Sequence, residues 1–99
     1  MDEASAVELE ELFKYIKGDV ANKNFKSILN KSYEMLEKAK QYNSKLYIAR
    51  AYSHIGYCFY FDSVLPKALI YFEKSRYNYS LAIDKSSYSK EYAIVLNSL

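Results

Sequence analysis

Two side chains able to do covalent or metal chemistry stand one helical turn apart near the middle of the 99-residue chain, His54 and Cys58. They are its single histidine and its single cysteine, so a histidine triad, a His-paired thiol nucleophile or a metal site would each have to rest on this pair. At best the two supply half of the four ligands that a structural zinc site wants, and a buried free cysteine ordinarily acts as a small apolar side chain. An enzymatic reading therefore needs a reactive Cys58. The carboxylates Asp2, Glu3, Glu8, Glu10 and Glu11 crowd the N-terminus, where they read as the solvated start of a helix, with no fixed partner to tune a general acid or base. Gly18 and Gly56 are isolated, which leaves no glycine-rich cradle for phosphate. The expectation is a protein without catalytic residues, cofactor or metal.

A second set of residues suits recognition. Arg50, Ser53, Tyr57 and Tyr60 recur at spacings of three, four and three, which puts them on one helix face beside a stripe of Tyr52, Ile55 and Phe59. Asn97 stands where Ser53 does, 44 residues further on. Arg50 could make a charge-assisted contact with a peptide carboxylate, the tyrosines offer aromatic surface, and Asn97 could clasp a peptide backbone. The same residues could equally serve to pack the neighbouring helix, since the first helix of a hairpin repeat contacts both.

The elements that must carry these residues all read as helices. Ser5 followed by Glu8 makes a capping box, predicting a first helix with Val7, Leu12, Tyr15, Ile16 and Val20 on its apolar face; Gly18 is a mild interruption, and Asn22-Lys23-Asn24 is the expected break. A second helix is expected from about Phe25 to Tyr42, where Ile28, Leu29, Tyr33, Met35, Leu36 and Ala39 recur at helical spacing and Glu34 pairs with Lys38 one turn on. Asn43 or Ser44 should cap a third helix, Lys45 to Phe61, and Asp62-Ser63 supplies a turn and the next cap. Pro66 falls in the first turn of a fourth helix, where its missing N–H costs little; that helix should reach about Asp84, with Lys85-Ser86-Ser87 leading into a fifth.

Within the third and fourth segments, Tyr52, Ile55-Gly56, Phe59, Ala68, Phe72 and Ser75 follow one another at the spacing of a known motif. The hairpin resembles a tetratricopeptide repeat, with Ser75 at a slot usually held by alanine and Ser80 where a proline is common. Leu36-Glu37-Lys38-Ala39 echoes Phe72-Glu73-Lys74-Ser75, which suggests an earlier, degenerate copy. Ala93, Leu96 and Leu99 reproduce Ala49, Tyr52 and Ile55 at an offset of 44, longer than the 34-residue period of the family and similar to a longer-helix variant found in bacterial signalling regulators and peptide receptors. The expected organisation is one domain: residues 1–43 a degenerate repeat, 44–84 a well-matched one and 85–99 the first helix of an incomplete one. The resemblance implies an all-α fold of about five helices, antiparallel hairpins stacked as a short right-handed solenoid that binds a protein or peptide. It also places Arg50, Ser53, Tyr57 and Tyr60 on the concave side; the paired Lys and Asn clamp that some members use for chaperone C-termini is not matched, because Ser53 and Tyr57 stand there.

Composition narrows the alternatives. With 51% hydrophobic and 26% charged residues, two glycines and one proline, the chain can form a folded core and has little material for tight-turned sheets. A formal charge of +2 is too mild for a nucleic-acid surface, and no helix-length segment concentrates Arg, Lys, Asn and Gln on one face as a DNA reader would. Lys14, Lys17, Lys23, Lys26 and Lys31 read as solubilising charges. No apolar run approaches the roughly 18 to 20 residues that span a bilayer, the acidic N-terminus is unlike a secretory signal, and a cytoplasmic location is expected. The 12 tyrosines without a tryptophan suit thin helical layers, in which a ring is buried and its hydroxyl stays at a wet edge. Abundant Lys, Asn, Tyr and Ile point by association to an AT-rich bacterial gene. An alternative role is self-association through the last helix, whose Tyr92, Ile94, Val95, Leu96 and Leu99 provide no polar cap.

Overall fold

The computed structural model describes residues 2–82 and 89–98. These residues form five helices in chain order, α1 (Glu3–Ala21), α2 (Phe25–Gln41), α3 (Lys45–Phe61), α4 (Leu65–Leu81) and α5 (Ser89–Ser98), and no strand occurs among them. The all-helical expectation holds, and each helix packs chiefly on its neighbours in the chain.

The turns are built alike. Lys23, Asn43 and Ser63, spaced 20 residues apart, take positive φ of 55°, 55° and 62°. After α1, Asn24 N–H reaches back to the Asp19 carbonyl and Lys23 N–H to Val20; Ser44 to Ala39 and Asn43 to Lys40 repeat this after α2, and Val64 to Phe59 and Ser63 to Tyr60 after α3. This is the Schellman ending, which satisfies carbonyls that a helix terminus would otherwise leave unpaired. Glycine is its usual residue, and its absence here leaves the periodicity of 20 hidden in the sequence.

Helix ends differ from expectation in small, explicable ways. Asp2 rather than Ser5 caps α1: its Oδ1 accepts from Ser5 N–H at 2.8 Å, so Ser5 lies inside the helix and the Ser5–Glu8 capping box does not form. Ser44 caps α3 by accepting from Tyr47 N–H at 3.4 Å. Asp62-Ser63 makes the turn but not the cap, because Val64 occupies that position and offers no side-chain acceptor. Tyr42 terminates α2 as its C-cap, Pro66 sits at the start of α4 as expected, and α4 stops at Leu81 rather than Asp84. Asp84 and the Lys85-Ser86-Ser87 link lie outside the described residues. Lys38, expected to pair with Glu34, makes its ion pair with Glu8 of α1 at 2.6 Å, while the Glu34 charge acts on it from further off.

Consecutive helices run antiparallel. Between α1 and α2, Asp19 accepts from Ser27 while Glu8 meets Lys38; between α3 and α4, Gly56 faces Phe72 while the Ala49 carbonyl accepts from Ser75 Oγ at 2.8 Å. α1 and α3 lie side by side in the same direction, with Phe13 against both Tyr47 and His54. The main core joins α1, α2 and α3 through Leu9, Ile16, Ile28, Met35, Ala39 and Ile55, and a smaller cluster of Ala49, Tyr79 and Val95 ties α5 to α3 and α4.

Gly56 is a point of close approach between α3 and α4. A Cβ at this position would lie 2.9 Å from two atoms of the Phe72 ring, whereas nothing lies within 4 Å of one at Gly18. Gly56→Leu is therefore expected to destabilise the protein by about 1 to 3 kcal/mol through overpacking. Gly18→Ala, in an open helical position, should stabilise it by up to about 1 kcal/mol. Urea unfolding of both variants checks the pair, and a Gly56→Leu protein as stable as its parent would contradict the close approach.

Candidate functional site

The first, third and fifth helices border a groove of about 350 Å³. Phe13, Lys17 and Val20 come from α1, Ser53, His54 and Tyr57 from α3, and Glu91, Ile94 and Val95 from α5, with Phe72 and Tyr79 of α4 contributing from beneath. Helical spacing explains the set. On α1 and α3 the lining residues recur at three or four positions, so each helix turns one narrow face toward the same space. The walls are mainly apolar, and the Lys17 ammonium lies 4.7 Å from the centre of the Phe13 ring.

Of the five residues that the sequence singles out, two line this groove. Ser53 does so with its hydroxyl donating to the Arg50 carbonyl at 2.9 Å, and Tyr57 does so while packing on Phe25 and Phe61. Tyr60, 57% exposed, stands outside against Phe61, and Asn97 is exposed on α5. The structure thus does not bring the five together. Groove lining and helix packing, alternatives in the sequence, coexist in Tyr57.

Arg50 differs most from its expected place, being only 9% exposed and already holding a carboxylate. Its Nε and Nη2 donate to the two oxygens of Glu91 at 2.9 and 2.8 Å, the two-pronged geometry that makes such pairs strong. Tyr79 adds a hydroxyl to Glu91 Oε2 at 2.7 Å. The guanidinium carbon lies 4.2 Å from the Phe13 ring centre and 5.0 Å from that of Tyr47, distances at which a cation is attracted to an aromatic face. Glu10 approaches Arg50 Nη1 at 3.9 Å and accepts from the Tyr47 hydroxyl. The N-terminal acids are therefore not all free: Glu10 joins this network and Glu8 pairs with Lys38.

Charges in the network shift together. Burial works against ionisation of Glu91, but the bonds from Arg50 and Tyr79 outweigh it and hold the carboxyl below its usual value. Burial likewise opposes charge on Arg50, and Glu91 reverses that effect and raises it. Burial pushes the Tyr47 hydroxyl up to about 12, reinforced by Glu10, and the Tyr79 hydroxyl is raised for the same reason beside Glu91.

His54 and Cys58 each face a backbone carbonyl. His54 Nδ1 lies 2.9 Å from the Arg50 carbonyl, which can only accept, so Nδ1 carries the proton. Cys58 is buried with its Sγ directed at the Phe25 carbonyl, 3.8 Å away, and burial pushes the thiol up to about 11. Among the described residues, no three His, Cys, Asp or Glu side chains gather as metal ligands, and no helix is long and apolar enough to cross a membrane.

Sequence reasoning overlooked Phe13, Tyr79 and Glu91. Phe13 falls on the apolar face of α1, but nothing local distinguishes a ring that supports a guanidinium from one that fills a core. Glu91 lies 41 positions beyond its partner Arg50, beyond the reach of periodicity. Comparisons of the chain with protein-family models, with curated proteins and with solved structures found no match.

The half-buried His54 gives the groove a pH signature. Burial, aided by the Arg50 and Lys17 charges and only partly opposed by Glu91 and the carbonyl bond, lowers its pKa from 6.5. The unfolded chain then takes up a proton near that pH while the folded chain takes it up only at lower pH. Stability from this group is full above pH 6.5 and declines as pH falls below it, until the folded pKa is passed. Urea midpoints at about pH 7.5 and about pH 5.5 should differ in the parent and converge in His54→Gln; an equal difference in both would assign it to other groups.

Proposed function

We propose that this chain is a tetratricopeptide-like helical-hairpin scaffold that binds a peptide or protein segment and carries out no catalysis. The observation that carries this reading is the mainly apolar groove between α1, α3 and α5. Its support from the fold is the repeated antiparallel hairpin, with Gly56 against Phe72 and Ser75 against Ala49 at the motif's small positions. A hairpin period of 40 residues, twice the spacing of the three Schellman turns, goes with helices longer than those of the 34-residue family repeat. The organisation into residues 1–43, 44–84 and 85–99 belongs to the same proposal, as do a cytoplasmic location and a role within a bacterial signalling or transcription regulator. Nucleic acid is not the proposed ligand.

A groove of this size accepts one or two large side chains of a bound segment, with Tyr57 and Phe13 as aromatic walls and the Ser53 hydroxyl at the edge. Arg50 is excluded as a freely available anchor by its bond to Glu91. A peptide library displayed against the full chain should yield ligands with apolar anchor residues. Calorimetry should then show binding weakened about tenfold by Tyr57→Ala. Failure of the library to enrich any peptide would sink the groove reading.

Self-association is the second reading, favoured by Ile94 and Leu96, which are 65% and 46% exposed on α5, and by uncovered Leu65, Leu69 and Ile70 on α4. Exposed large apolar side chains of this kind, where they gather, mark interaction sites. Light scattering at high micromolar concentration should then show mass rising with concentration, and a constant monomer mass would remove this reading.

A further inference from the structure

The Arg50 site has two halves of unequal standing. The receiving half, Arg50 and Tyr79, belongs to α3 and α4, which are held together by Gly56–Phe72 contact, by the Ser75–Ala49 hydrogen bond and by the Tyr52–Tyr71 and Phe59–Tyr71 ring pairs. The occupying half, Glu91, belongs to α5, in which Val95 is the one buried side chain among the described residues 90–97. A guanidinium fork and a hydroxyl converge on one carboxylate, and two ring faces hold the guanidinium in place. Taking the carboxylate away without replacement would leave a buried cation poorly paired, at a heavy desolvation cost. The receiving half is thus complementary to a carboxylate, whichever chain supplies it.

The helix α5 also shows what accompanies that carboxylate. Glu91 enters the fork, Tyr92 lies against Tyr79 with ring centres 5.7 Å apart, and Ile94 and Val95, three and four positions on, line the groove. That spacing is one helical face.

We propose that Arg50 and Tyr79 form a recognition site for an amphipathic helix of a partner protein, bearing a glutamate and, three or four residues later, aliphatic side chains, and that α5 fills this site in cis until such a helix replaces it. The proposal rests on the peptide-binding reading above but seats its ligand differently: the incoming helix takes the place of α5 and becomes the third wall of the groove, instead of lying in the groove beside α5. A tethered segment competes at an effective concentration on the order of millimolar, so α5 masks the site against weak or mismatched segments and yields to those that pair more fully.

The test uses the full 99-residue chain and a fluorescein-labelled helical peptide with the sequence of residues 89–98 as probe, followed by anisotropy. Glu91→Gln, which removes the cis carboxylate, should bind the probe about tenfold more tightly than the parent. Adding Arg50→Gln should abolish that gain, and a probe with glutamine in place of its glutamate should bind neither protein. If Glu91→Gln loses its helical circular dichroism, Val95→Ala loosens α5 while keeping Arg50, Tyr79 and Glu91, and should also raise probe binding. A gain that survives Arg50→Gln, or probe binding unchanged in both Glu91→Gln and Val95→Ala, overturns the proposal and leaves Glu91 as a structural tie. Because the probe is α5's own sequence, this result is separable from failure of a random library to find a groove ligand.

Discussion

A charge removed from water must be paired, and the guanidinium of Arg50 imposes that requirement on four of the five helices. Phe13 of α1 and Tyr47 of α3 lie against it, while Tyr79 of α4 and Glu91 of α5 complete its carboxylate pairing. Buried ion pairs often contribute little net stability, because desolvation consumes what attraction supplies. What this one does contribute is position. Glu91 meets both fork donors in the observed placement of α5, and that placement makes Ile94 and Val95 a wall of the groove.

The abundance of tyrosine has a related explanation. Tyr42 reaches Glu8, Tyr47 bonds Glu10, and Tyr79 bonds Glu91, each joining one helix to another. In each case the ring supplies apolar area and the hydroxyl meets a carboxylate at the margin. Phenylalanine at position 79 would pack similarly but leave Glu91 with one donor fewer, and the apolar layers here are thin enough that a hydroxyl can reach their edge.

Much of the fold was legible because it rests on local rules. The third helix, from its Ser44 cap to the Phe61–Asp62 boundary, matches its observed ends, and the antiparallel pairing of α3 with α4 follows from two helical segments joined by the short Asp62-Ser63 turn. Two kinds of feature were not legible. The Schellman turns carry Lys, Asn and Ser where glycine is usual, so local composition concealed their regularity. The site's decisive contact, Arg50 with Glu91, joins residues far apart in the chain, and no periodic pattern reports such a partner. The sequence offers Arg50 as a contact for a peptide carboxylate, whereas the carboxylate it holds in the structure is that of Glu91 in the same chain. Ser75, a departure from the expected alanine, is explained by its hydrogen bond to the Ala49 carbonyl, which lets a buried hydroxyl stand at a close helix crossing.

The 20-residue spacing of Lys23, Asn43 and Ser63 bears on how the chain reaches this structure. Each turn closes a short loop, and each helix finds its main partner immediately before or after it, so few contacts demand the closure of a long segment. Chains dominated by such local contacts fold quickly. Folding can begin at a hairpin and spread outward one helix at a time, with α3 and α4, the most closely approached pair, a natural place to start. The same logic puts α5 last: among the described residues it has the fewest buried side chains to repay its ordering, and its docking awaits a site that exists only once Arg50 and Tyr79 have been brought together.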